Sequence, residues 1–246
     1  MKEVKLFCFP YAGGSAVLYN SWKNLLDPAI LLRPIELAGR GSRIAEPFYA
    51  NIPEMITDVY NQIRPEIQNG PYAFFGHSMG AMIAYKLAHL LRRLGSPEPA
   101  CVMFSGRSAP HIMRDERKNY ALMEDEVFQK EVLELGGTPA ELFMYPELVN
   151  YYMPLLRNDF MLAEETPMTE DIEPFNFNIT ILFGAEEDLN WEQRTGWQAH
   201  TNKKCNIHVL NGGHFFIHTA MKEVTTIIND TIRDERCGAM ANRYVR

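Results

Sequence analysis

Six short runs rich in β-branched and aromatic residues, separated by helix-length segments, constrain this chain more than any other feature. They fall at residues 4–9, 30–36, 72–75, 100–105, 179–183 and 206–210. Such apolar runs suit strands covered on both faces, and their alternation with helical patterns predicts the α/β class: a mostly parallel central sheet flanked by helices. With 246 residues, 46% of them hydrophobic, the chain has material for one large core, so a single domain over 1–246 is expected. The spacing opens only at about 109–174. There the sequence turns helical and rich in Met and Tyr, punctuated by Gly136-Gly137, Pro139, Pro146, Pro154 and Pro167. A long insertion between strands predicts a helical lid. One helix is expected from Asn51, with Pro53 and Glu54 in its first turn, to about Pro65, and another from just after Ser78 to a stop at Gly95. Residues 233–246 read as a frayed tail.

Composition excludes several classes of function. Twenty-four basic against 31 acidic residues leave a net charge of −7, without the basic patch a phosphate backbone needs, so nucleic acid is not an expected partner. No apolar stretch approaches the roughly 18 residues of a membrane span, and no membrane partner is expected. The first ten residues enter a strand at once, leaving no room for a secretion signal. The four cysteines (Cys8, Cys101, Cys205, Cys237) form no C-x-x-C pair and read as reduced thiols, so a cytoplasmic protein is expected.

The chemistry centres on Gly76-His77-Ser78-Met79-Gly80, a G-x-S-x-G motif between an apolar strand and a strong helix. That context suits a serine on a sharp turn, where glycine two residues before and after avoids collision with neighbouring backbone. The turn also places Ser78 at a helix N-terminus, where free N–H groups favour developing negative charge. Serine then needs a base. Of seven histidines, His77 adjoins the serine, His89 falls in the following helix, His111 in the insertion, His200 in a polar helix and His208 within a strand. His214 follows the last strand through Asn211-Gly212-Gly213, at the sheet edge where sites gather, and is the predicted base. His218 shares a helical face with it, but no H-E-x-x-H supports a metal, and none is expected. The orienting carboxylate should follow the preceding strand, where Gly184-Ala185-Glu186-Glu187-Asp188 offers three. Asp188 is favoured as a short, stiff side chain, with Glu187 its competitor. The oxyanion hole requires two backbone donors, predicted at Met79 and at Ala12 in the loop Phe9-Pro10-Tyr11-Ala12-Gly13-Gly14. No G-x-G-x-x-G or P-loop occurs, so no nucleotide cofactor is expected.

Taken with Gly39-Arg40, Arg43, Glu46-Pro47, Ser105-Gly106-Arg107-Ser108-Ala109-Pro110 and Gly212-Gly213-His214-Phe215, these motifs closely resemble the type II thioesterases, in the same order over nearly the whole chain. These are free-standing members of the α/β-hydrolase superfamily that serve nonribosomal peptide and polyketide synthetases. They share the pattern with the medium-chain thioesterases of fatty-acid synthesis. Gly136-Gly137-Thr138-Pro139-Ala140-Glu141 resembles that family's lid, and Phe183-Gly184 its acid loop with Asp188 in register; Ala38 departs from its usual proline. The resemblance implies an α/β-hydrolase fold and hydrolysis of acyl or aminoacyl thioesters from the phosphopantetheine arm of acyl or peptidyl carrier proteins, to clear misprimed groups. It implies no cofactor of the enzyme's own.

Arg40, Arg43 and Arg107 are candidates to meet acidic carriers, with internal pairing the favoured alternative. A monomer is expected. The rivals are a carboxylesterase or lipase on free small esters, a medium-chain fatty acyl thioesterase, and a non-catalytic binding module. Epoxide hydrolases and dehalogenases carry aspartate where Ser78 stands.

Overall fold

The computed structural model describes residues 3–112, 118–164 and 172–241. Six strands form one all-parallel sheet in the order β2-β1-β3-β4-β5-β6: β1 Val4–Phe9, β2 Ile30–Pro34, β3 Tyr72–His77, β4 Cys101–Ser105, β5 Asn178–Gly184 and β6 Cys205–Leu210. Each lies where an apolar run predicts it, and each starts or stops within two residues of that run. The order reverses direction at β1, so the loops after β1 and β3 meet at one edge, where a parallel sheet opens a crevice.

Period-two alternation divides the sheet's side chains between two cores. Phe7, Phe9, Phe74, Val102, Phe104, Ile181 and Phe183 face helices α1 (Ile52–Ile67) and α2 (Met79–Arg93). Leu6, Cys8, Phe75, Met103 and Leu182 face the 3₁₀ segment Ala16–Asn24 and the C-terminal helices α6 (Phe216–Thr219) and α7 (Met221–Ala241), which follow the short α5 (Trp191–Thr195) and β6 in the chain. Because both faces are covered at the centre of the sheet, β3 and β4 are buried along their whole length and read as apolar runs, whereas the edge strand β6 is partly exposed and carries Asn206 and His208.

Local signals hold with two exceptions. Asn51 caps α1 by accepting from the Glu54 N–H at 2.9 Å, and α2 ends with Gly95 at φ +61°, where the Ser96 N–H reaches back to Leu91 O. The helix expected to end near Pro65 instead runs to Ile67: the proline forfeits one bond in the last turn, and fully buried Ile63 and Ile67 hold that turn to the sheet. The tail expected from residue 233 is a continuation of α7 as far as Ala241, beyond its buried stripe Val224, Ile228, Ile232.

Between β4 and β5 the insertion forms α3 (Asp125–Leu135), a 3₁₀ turn (Ala140–Met144) and α4 (Pro146–Ala163); Pro167 lies outside the described residues. Gly136 supplies the left-handed stop of α3, whereas Pro154 sits inside α4 without ending it. Phe128, Val132 and Leu156 form a small core of their own with Phe143 and Phe160. Arg157 stitches it together, donating to Tyr120 O and Met123 O with its guanidinium over the Phe128 ring. The helix α4 is fastened to the main body by Tyr151 Oη to Gly39 O, Asn158 Nδ2 to Tyr49 O, and a buried bidentate pair between Asp159 and Arg40 at 2.6 and 2.7 Å. Among the described residues no helix is long and apolar enough to cross a membrane, and Cys8, Cys101 and Cys205 carry free thiols.

Behind β4, His200 is not the polar-helix residue its sequence context suggests. It is buried, with Nδ1 3.1 Å from the Tyr85 hydroxyl and Nε2 2.8 Å from His111 Nδ1. Burial, then the neighbouring His111 and His89, pull its pKa down to about 4, and burial with Arg92, Arg93 and Lys86 does the same for His89. Both rings stay neutral when folded but titrate near 6.5 when unfolded. The unfolded chain therefore binds more protons between about pH 6.5 and 4, so stability is fully present above that window and is lost as pH falls through it. Each ring contributes a slope of up to about 1.4 kcal/mol per pH unit. Urea titrations from pH 7 to 4.5 should show this decline, and His200→Asn should flatten it while lowering stability at pH 7. An unchanged slope in that variant would rule out a neutral, buried His200.

Candidate active site

Ser78 joins the end of β3 to the start of α2 with φ 54° and ψ −111°, a conformation that non-glycine residues rarely adopt. Its N–H donates to Ser105 O at 2.8 Å, tying the turn to the end of β4. The flanking glycines are sterically required. A Cβ on Gly76 would stand 2.0 Å from Gly80 O, and one on Gly80 2.1 Å from Phe9 O. Met79 is the first residue of α2, so its N–H has no carbonyl partner in its own helix.

The loop after β1 comes up beside this turn. Its residues Tyr11 to Gly14 close a β-turn through the Gly14 N–H to Tyr11 O (2.9 Å), with Gly13 at φ +78°. The Gly13 N–H is committed to Asp159 Oδ2 at 2.7 Å, and among the described residues the Ala12 N–H has no hydrogen-bond partner. Ala12, Ser78, Glu187 and His214 line one cavity of about 880 Å³, together with Met82, Tyr85, Leu135, Phe160 and Trp197.

His214 enters the site after β6, and its Nδ1 lies 2.6 Å from Glu187 Oε1. The predicted partner Asp188 is instead exposed and makes no such contact. The reason lies in the backbone of the acid loop. Ala185 N–H bonds Leu210 O at 2.7 Å, Glu186 N–H bonds Gly212 O at 3.1 Å, and Glu187 N–H turns back to Gly184 O at 3.3 Å. That turn aims residue 187 at the imidazole and leaves residue 188 exposed on the rim of the same cavity. The longer glutamate then spans the gap, and its other oxygen accepts from the Gly184 N–H at 2.7 Å, so both oxygens are held and only 4% of the side chain is exposed. Shortness and stiffness, the grounds for preferring aspartate, are replaced here by two hydrogen bonds. No local sequence signal separates the two carboxylates: the return from Gly184 that places position 187 over its own strand end shows only in the backbone hydrogen bonds.

Beneath His214, His77 is fully buried with Nδ1 2.9 Å from Ser105 Oγ and its ring 5.0 Å from that of His214. Burial, reinforced by His214 and His218, pushes its pKa well down, leaving a neutral packing group. His218 is 3.0 Å from the Tyr11 hydroxyl, a contact no local sequence signal announces. Among the described residues no three His, Cys, Asp or Glu side chains gather as a metal site. Arg40 and Arg43 are paired internally, the latter with Glu46 and Asp58, and Arg107 donates to Ala163 O.

The thioesterase-domain family model matches residues 4–233. The linear gramicidin dehydrogenase LgrE of Brevibacillus parabrevis is 35% identical over 240 residues, 96% of this chain and 90% of its own. Its name speaks of a dehydrogenase, yet the present chain carries no G-x-G-x-x-G. Among solved structures, ClbQ from the colibactin NRPS/PKS pathway superimposes with a TM-score of 0.89 at 31% identity, over 96% of this chain and 99% of that one. A type II thioesterase from the yersiniabactin NRPS/PKS pathway, YbtT, gives 0.84 at 25% identity over 95% and 94%. With the α/β-hydrolase layout of its parallel sheet and a family match over nearly its whole length, this chain belongs to the thioesterase family.

Proposed function

We propose that the protein is a free-standing editing thioesterase that removes acyl or aminoacyl groups from the phosphopantetheine arm of carrier proteins through an acyl-Ser78 intermediate, in the cytoplasm. The observation that carries the chemistry is the His214–Glu187 pair, 2.6 Å apart, on the same cavity as Ser78 at the head of α2. Ser78 Oγ attacks the thioester carbonyl while His214 takes its proton, and the oxyanion is met by the N–H groups of Ala12 and Met79. The thiol leaves with the proton from His214. Water then attacks the acyl-Ser78 ester, again giving a proton to His214, which passes it to the departing serine oxygen to release the acid. Glu187 orients the ring and stabilises its cationic form; no metal or cofactor enters the balance. Support for carrier-bound substrates comes from the relatives of nonribosomal peptide and polyketide pathways. The largely aromatic apolar walls of the cavity, with Met82 among them, suit varied acyl groups.

Mass spectrometry of a panel of acylated carrier proteins tests this reading. The enzyme should deacylate them faster than simple oxygen esters and Ser78→Ala should not; faster hydrolysis of free esters would make it an esterase instead. The assignment of the acid has its own test. Glu187→Gln should lower kcat by about 10³- to 10⁴-fold, the loss typical when the triad carboxylate is neutralised, whereas Asp188→Asn should stay within about twofold of the parent. The reverse ranking would return the role to Asp188.

A further inference from the structure

Asp159 is a fully buried carboxylate on α4 whose two oxygens receive three hydrogen bonds. Oδ1 accepts from Arg40 Nη2 at 2.7 Å, and Oδ2 from both Arg40 Nη1 at 2.6 Å and the Gly13 N–H at 2.7 Å. Arg40 Nη1 also donates to Gly14 O at 3.1 Å, so carboxylate and guanidinium together grip the turn at both glycines. In that turn Gly13 has φ +78°, the third-position conformation of a type II turn, which differs from type I by a flip of the peptide between residues 12 and 13. The Asp159 carboxylate favours one orientation: as found, it receives the Gly13 N–H, whereas the flipped peptide would turn the Ala12 carbonyl towards a buried negative charge. Leu156, one turn earlier on α4, closes the same side, since a Cβ on Gly13 would stand 2.4 Å from its Cδ2.

We propose that Asp159 is a positioning residue for the oxyanion loop, acting through Arg40 and the Gly13 N–H to hold the turn that presents the Ala12 N–H to the cavity. The inference rests on the proposed role of Ala12. It makes transition-state stabilisation depend on the seating of α4, because the acceptor that sets the turn belongs to the inserted segment.

The informative variant is Arg40→Met/Asp159→Leu, which removes both charges together and so avoids a lone buried ion. With its fold verified by circular dichroism and urea titration, it should lose about 10- to 100-fold in kcat with KM within about threefold, since displacing one hole donor affects the transition state more than substrate binding. A trifluoromethyl ketone analogue, whose hemiketal oxyanion needs the hole, should weaken by a similar factor. A folded double variant with kcat and inhibitor affinity within about threefold of the parent overturns the proposal. If the double variant does not fold, Asp159→Asn, which preserves volume, is read in its place: a fall in kcat accompanied by weaker ketone binding supports the role, and unchanged ketone binding overturns it. Ser78→Ala run alongside separates the two levels. Retained thioesterase activity there would defeat the reading of the site itself, whereas its loss beside a fully active double variant defeats only the role of Asp159.

Discussion

The close approach of α2 to the end of β1 is the constraint on which the rest of the site depends. Phe9 O lies so near Gly80 that a Cβ there would stand 2.1 Å away. This contact brings together the two loops that follow β1 and β3, and with them Ala12 and Ser78, which line one cavity. Phe9 O is satisfied by the Tyr19 hydroxyl at 2.7 Å, so the approach leaves no buried acceptor unpaired. The strained backbone of Ser78, a cost of about 1–3 kcal/mol, persists because Gly76, Gly80 and the Ser78–Ser105 bond leave the turn no other course.

A second close approach does for His214 what the first does for Ser78. Gly184 stands so near the loop before His214 that a Cβ would be 2.4 Å from Gly213 O. The loops after β5 and β6 are therefore one bonded unit, with backbone hydrogen bonds from Ala185 and Glu186 to Leu210 and Gly212. The imidazole and its carboxylate are delivered by that unit, and neither depends on a long flexible segment for its placement. Rigid elements with short loops give the sub-ångström precision that proton transfer requires.

These features divide sharply in how far the sequence discloses them. The strands, α2, Ser78 and the location of His214 are local: each follows from a run of apolar residues, a glycine pair or a loop position within a dozen residues. Glu187 could not be separated from Asp188 in that way, because the direction of a side chain on a four-residue turn is set by acceptors at 210 and 212, on another strand's loop. The same holds for Arg40 and Asp159, which are 119 residues apart, and for His111 and His200, 89 apart. His200 looks solvated in sequence because most of its immediate neighbours are polar; its burial is imposed by Tyr85 and Phe175, brought in from elsewhere in the chain, together with Trp197 of its own 3₁₀ turn.

The inserted segment shows how such non-local pairs organise a fold. Its small aromatic core is separate from the two cores of the sheet, and among the described residues α4 joins the first of these at its C-terminal end, through Leu162 and Ala163, so hydrophobic burial alone leaves the orientation of α4 weakly specified. Directional bonds supply what burial does not: Tyr151 to Gly39, Asn158 to Tyr49, and the Arg40–Asp159 pair are spaced along α4 and fall on the loop after β2, while the Gly13 N–H to Asp159 adds the loop after β1. A fork-to-fork pair excluded from water contributes little net stability but penalises misalignment heavily, since either ion left alone costs about 3–5 kcal/mol. Placed beside Gly13, that penalty acts on the register between the inserted helix and the loop carrying Ala12, where a small displacement would matter most for an amide proposed to meet a developing charge.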